Sequence, residues 1–279
     1  MRSGATVLMW LITTLLLATA LPGAWVQQNL VDRDGYTALA ERAAADPELQ
    51  AAMAGELTAQ VGRLSSSVDS TVVSRIAAAY TAGPAFPAQF AQANGFAHRW
   101  LFTTAIPATL DPQGRWVIDL APMLSDAAFA QTLRDYDVAV PTSLPIPLTE
   151  NVPEFLRPGS FRTVGMWGPW ISVGLVLLAG AGVLLTLFSA RRRGRALAWL
   201  GVSGLLVGAS GWAAIELAQR HLLDALNNTS GTTRRVADVM VATAQDSMHQ
   251  WLNVTLVVGG GLIVVGVIVS LLSGLAGAT

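Results

Sequence analysis

The polar residues best placed to do chemistry are few. Asn94 and His98 stand four residues apart, so a helix would put both on one face, with Arg99 next in the chain. Such a group could contact a ligand or handle a proton, since imidazole titrates near neutral pH. The ordinary alternative is a histidine bonded within its own helix. It is preferred because no second histidine, acid or nucleophile stands nearby in sequence. The other histidines, His221 and His249, lie far from His98 and show no His-x3-His spacing. They could meet across a helical hairpin, but two ligands do not close a tetrahedral metal site. No Cys is present, which removes thiolate ligands, disulfides and thiol nucleophiles. Phosphate-binding loops, dinucleotide fingerprints and nucleophile elbows are also missing. The reading is therefore no catalytic residue, no cofactor and no metal.

Glu216 is the one acid inside an apolar segment. An acid at mid-bilayer would suggest transport. Glu216 instead lies near the end of its segment, where it can reach water or pair with Arg220 one turn on.

The elements that carry these residues are largely membrane spans. Only 13% of the 279 residues are charged, about half the share of a soluble domain. Four apolar runs are long enough to cross a bilayer: Ala5–Trp25, Trp167–Phe188, Ala196–Leu217 and Trp251–Leu275. The first could also be a secretory signal, with Ala18-Thr19-Ala20 as cleavage pattern. Its length favours a retained anchor. Between the second and third runs stand Arg191, Arg192, Arg193 and Arg195. Arg excess at span ends marks the cytoplasmic side. The expected protein thus sits in the plasma membrane with both termini inside. Trp25, Trp167 and Trp170 would sit at the outer interface.

Residues 26–165 read as an extracytoplasmic domain, and residues 166–279 as a three-span region with an outer helical hairpin at 218–250. From Val26 to Thr163 there are nine Arg against fourteen Asp and Glu, a net of −5. That balance argues against nucleic acid or another polyanion as partner. All 17 basic residues of the chain are Arg, which suggests a GC-rich genome.

The domain is α-rich with minor β. A helix opens at Asp34-Gly35 and runs to Ala45. Asp46-Pro47-Glu48 starts a second, with Leu49, Met53, Leu57 and Val61 as its stripe. A third starts at Asp69-Ser70, with Val72, Val73, Ile76 and Tyr80 on one face. A fourth spans Pro87–Thr104. Asp111-Pro112-Gln113-Gly114 predicts a turn between two short strands. Ser125–Tyr136 reads as a helix, and the prolines of Val138–Leu148 confine it to an edge strand.

Small residues recur at four-residue spacing in the spans: Gly204 with Gly208, then Gly266, Ser270 and Gly274. Such ladders allow close helix approach, within the bundle or against another membrane protein.

Three stretches carry a resemblance: Tyr36 with Ala45-Asp46-Pro47-Glu48-Leu49-Gln50 and Glu56-Leu57-Thr58; Phe90 to His98; and Trp116 to Pro122. With these the chain resembles a family of actinobacterial four-span integral membrane proteins. The resemblance implies an α-rich extracytoplasmic domain on a membrane anchor and brings no activity. The chain departs at Gly95, where similar proteins often carry a larger polar residue.

The functional expectation is a non-enzymatic accessory, assembly or scaffold protein whose outer domain binds another membrane or envelope protein. A transport or export component is the alternative, since the order of spans is shared with permease subunits. A sensor without its own output domain comes third.

Overall fold

A computed structural model describes residues 2–64, 69–103, 109–110, 116–119, 145–147, 159–190, 193–226 and 232–275. The chain divides into two compact units. The first holds Met1–Leu30, Gly168–Arg234 and Val241–Thr279; the second holds Val31–Trp167 and Arg235–Met240.

The first unit is built from long helices. α1 (Arg2–Val26) runs into a π-helical stretch, Gln27–Val31. α6 (Arg162–Ser189), α7 (Arg193–Leu226) and α8 (Thr232–Leu275) complete it. Four stretches are long and apolar enough to cross a membrane: Val7–Val31, Arg162–Ser189, Arg193–Ala218 and Arg234–Ser273. This fits a multi-pass membrane protein. Their outer faces are apolar, as at Leu177, Phe188, Val257 and Leu271, which suits surfaces solvated by lipid tails.

Residues 218–226 extend α7 and residues 232–250 open α8, as expected for a helical continuation of the third span and a helix resumed before the fourth. At about 1.5 Å per residue the 44 residues of α8 cover roughly 66 Å, about twice a bilayer core. Only its uncharged part after Trp251 matches the expected span. The break at 227–231 lies outside the described residues. Trp25, near the end of α1, is buried. It donates from Nε1 to Ser247 Oγ at 3.2 Å, and its carbonyl accepts from Asn29 Nδ2 at 3.0 Å.

Hydroxyl contacts hold α1 in the bundle. Thr13 meets Thr186 of α6 at 3.3 Å, and Thr14 meets Ser203 of α7 at 2.7 Å. The two pairs differ in strength. Thr13 and Thr186 also reach a carbonyl of their own helix, at Met9 and Gly182, and their mutual contact at 3.3 Å is the longer one. Thr14 donates to the Trp10 carbonyl at 2.9 Å. Ser203 lies 3.2 Å from the Trp199 carbonyl, which already accepts the Trp10 indole N–H. Either hydroxyl can donate across the Thr14–Ser203 pair, and its 2.7 Å length marks it as the tighter of the two. Ser203→Ala is expected to lower stability in detergent by about 0.6 kcal/mol, and at most about 1.7. Thr13→Val is expected to cost less. Thermal melting of both variants by size-exclusion chromatography checks the order.

The second unit is helical with a small sheet. α2 (Arg33–Ala44) is capped by Asp32, which accepts from the Gly35 amide. The cap is thus Asp32, not the Asp34-Gly35 pair. α3 (Pro47–Leu64) starts where expected, with Asp46 Oδ1 accepting from the Glu48 amide at 2.7 Å. α4 (Ser70–Thr81) is capped by Asp69, and α5 spans Phe86–Phe102. α2 packs on α5 and α3 on α4. In α4, Val73 is buried but Val72 is 40% exposed. Adjacent residues sit about 100° apart on a helix, so both cannot face the core.

Strands Thr109–Leu110 (β1), Trp116–Asp119 (β2) and Pro145–Pro147 (β3) form an antiparallel sheet in that order. Pro145 and Pro147 lack N–H donors, and β3 lies at the sheet edge as proline requires. The expected turn at 111–114 and helix at 125–136 lie outside the described residues.

The core of this unit gathers Ala40, Ala43, Ala44, Leu49, Phe86 and Phe90. Val239 is buried with them, and Val236 and Met240 pack against them. The sequence groups these last residues with the span region; their contacts put them in the second unit's core.

Candidate functional site

The second unit does bring Asn94 and His98 onto one face of α5, against Tyr36 of α2. The Tyr36 hydroxyl donates to Asn94 Oδ1 at 3.3 Å, while Asn94 Nδ2 donates to the Phe90 carbonyl at 2.9 Å. His98 is 6% exposed. Its ring stacks on Phe102 with centroids 4.2 Å apart and planes at 13°, and the Tyr36 ring is 5.1 Å away. Phe102 in turn packs on Phe161 and lies where a Cβ at Gly165 would be 3.1 Å away. Arg99 does not join the group. It is exposed, with its guanidinium 5.8 Å from the Phe96 ring centroid.

The helices approach closely here because of Gly95. A Cβ at this position would fall 2.8 Å from Thr37 Cγ2 and 3.7 Å from Arg33 Nε. A larger residue here would require the Thr37 and Arg33 side chains, or the helices themselves, to give way. The end of α5 is held by the chain entering α6: Gly159 and Phe161 donate to the carbonyls of Trp100 and Leu101. Gly159 has φ 73°, the left-handed region that favours glycine. The imidazole is thus enclosed by two rings on a tightly packed helix.

Burial pushes the Tyr36 phenol above its ordinary value. The folded state then holds this proton more tightly than the unfolded state. Stability from this group is complete below about pH 10 and falls as pH rises from there through the folded value. Tyr36→Phe is expected to remove that alkaline loss. Melting curves of both proteins from neutral pH upward check it; an unchanged alkaline slope in the variant contradicts it.

A second polar group lies in the first unit. The Trp212 and His249 rings stack face to face, with centroids 3.7 Å apart and planes at 4°. Trp212 Nε1 donates to Asn253 Oδ1 at 3.3 Å. His249 Nε2 is buried and has no hydrogen-bond partner among the described residues. Such an atom in a native structure calls for a water or ion partner. Nothing in the spacing of Trp212 and His249, 37 positions apart, announces the stack. The expected meeting of His249 with His221 cannot be followed, since the His221 side chain lies outside the described residues. Glu216 is exposed one turn beyond Trp212; the Arg220 side chain also lies outside them. Among the described residues no group of three His, Cys, Asp or Glu could hold a metal.

The small-residue ladder has internal partners. A Cβ at Gly204 would meet Gly259 Cα at 3.1 Å, and one at Gly208 would meet Leu256 Cδ2 at 2.6 Å. One at Gly266 would lie 2.6 Å from the Gly194 carbonyl oxygen, and one at Gly194 would lie 2.5 Å from Ser270 Oγ. These positions serve the α7–α8 contact. Gly274 falls within α8. Of the arginines expected to set the topology, Arg193 and Arg195 are exposed in the first turn of α7, and Arg191 and Arg192 lie outside the described residues. No family model matches the chain, and no curated protein or solved structure matches it either.

Proposed function

We propose that this chain is a non-enzymatic accessory or assembly protein of the plasma membrane. Its spans hold the second unit on the extracytoplasmic side, where that unit binds another membrane or envelope protein. Both termini would be cytoplasmic, with Arg191–Arg195 on the inner side. The observation that supports this reading is how the small residues of the spans are used. Gly194, Gly201, Gly204, Gly208, Gly259 and Gly266 all serve close α7–α8 contact, as in a fixed scaffold rather than a docking stripe. Recognition then falls to the second unit, which has a core of its own. Membership of the actinobacterial family is part of the proposal and rests on the three resembling stretches of the second unit.

Purification under mild detergent from the native host tests it. A defined complex, retained through gel filtration and lost when exposed side chains of α3 and α4 are replaced, is expected. A strictly monomeric protein with no partner would overturn it.

A further inference from the structure

The first unit contains an apolar cavity of about 220 Å³, with walls from α1, α6, α7 and α8. Its one polar wall residue, Thr255, donates its hydroxyl to the Trp251 carbonyl at 2.9 Å. The Thr255 hydroxyl leaves a water at most one acceptor, too few to hold it, and apolar sites of this kind stay dry and take apolar ligands.

The α7 wall has a direction. Leu197, Leu200, Gly204 and Val207 line the cavity at spacings that form one helix stripe. Continued one turn back from Leu197, the stripe reaches Arg193, the exposed first residue of α7. From Arg193 to Gly204 is eleven residues, about 16 Å at 1.5 Å per residue. That is close to half of a ~30 Å hydrocarbon core. With the candidate span starting at Arg193, its guanidinium would stand at headgroup level and the slot would reach towards mid-bilayer, and guanidinium groups pair well with phosphate.

We propose that this slot binds one acyl chain of an anionic phospholipid, with its phosphate at Arg193. The occupant is set by depth, since hydrocarbon is the solvent at this level, and by charge, since Arg193 is cationic. The inference does not depend on which leaflet Arg193 faces, nor on what the second unit binds.

The test uses the full chain in lipid nanodiscs with phosphatidylglycerol carrying a photoreactive diazirine on one acyl chain. Crosslinks are expected on peptides containing Leu17, Val183, Leu200 and Val207, ahead of the outward-facing Leu177 and Leu271. The double variant Leu17→Phe/Val183→Phe fills the slot. It is expected to cut that labelling about tenfold, as exclusion of about two buried methylenes would, with gel-filtration profile and melting unchanged. Arg193→Gln is expected to weaken labelling by phosphatidylglycerol and leave labelling by phosphatidylcholine unchanged. Labelling spread evenly over outward faces, or insensitive to the filled slot, overturns the proposal. Equal loss with both lipids in Arg193→Gln overturns the headgroup half of it. If the filled double variant does not fold, Leu262→Phe narrows the same slot from α8 and must also lower labelling. Slot residues that crosslink only to a second copy of the chain would equally overturn the lipid assignment.

Discussion

Gly201→Ala is expected to destabilise the α7–α8 pair by at least about 1–3 kcal/mol, the usual cost of forcing extra atoms into a packed core. The added Cβ would lie 2.5 Å from the Gly259 carbonyl oxygen and 2.8 Å from the Ile263 amide nitrogen. Both are backbone atoms of a helix, so no rotamer change relieves the clash and the two helices must separate. Gly266→Ala is expected to behave likewise, for its Cβ would meet the Ala198 nitrogen and the Gly194 oxygen at 2.6 Å. Gly174→Ala is the control. Nothing lies within 4 Å of its added carbon, and losing a helical glycine gains up to about 1 kcal/mol. Melting in detergent, followed by gel filtration, separates the three. If Gly201→Ala matches Gly174→Ala, α7 and α8 do not touch through these glycines.

Val239→Asp is expected to unfold the second unit while leaving the spans inserted. Val239 is 7% exposed and packs among Leu49, Phe86 and Phe90. A carboxylate there has no partner in the core, and burying it unpaired costs several kcal/mol. That is a large share of the ~5–15 kcal/mol that holds a domain together. Trypsin should then cut at Arg42 in the last turn of α2, well before the spans are degraded. Arg235→Ala, at an exposed position of the same segment, should leave the second unit resistant. A resistant Val239→Asp protein would show that this stretch of α8 is not part of the second unit's core.

Local signals read well from the sequence, and distant ones did not. Asp46 and Asp69 stand as helix caps because capping is settled within three residues. Asp32 was hidden behind Asp34-Gly35, which looks like an equally good start. The four spans follow from apolar length alone. The small-residue spacing announced close approach at Gly204, Gly208 and Gly266 but not the identity of the facing helix, since internal and external contacts use the same physics. Val236, Val239 and Met240 carry an ordinary helical period. Only tertiary contact shows that they complete a core begun some 200 residues earlier at Ala40. At the candidate sites, the spacing of Asn94 and His98 gave the shared face. It was silent on the Tyr36 and Phe102 rings that enclose His98, and on the stacking of Trp212 with His249.

The sidedness of the second unit is measured most directly by cysteine accessibility. The native chain has no Cys, so one introduced thiol reports one place. Ser74→Cys marks the exposed surface of α4, and Ser189→Cys marks the exposed end of α6 beside the arginine loop. In intact cells a maleimide that cannot cross the membrane should label Cys at 74 at once and Cys at 189 only after the cells are opened. Prompt labelling at 189 with protection at 74 would invert the protein in the membrane and contradict the proposed extracytoplasmic role.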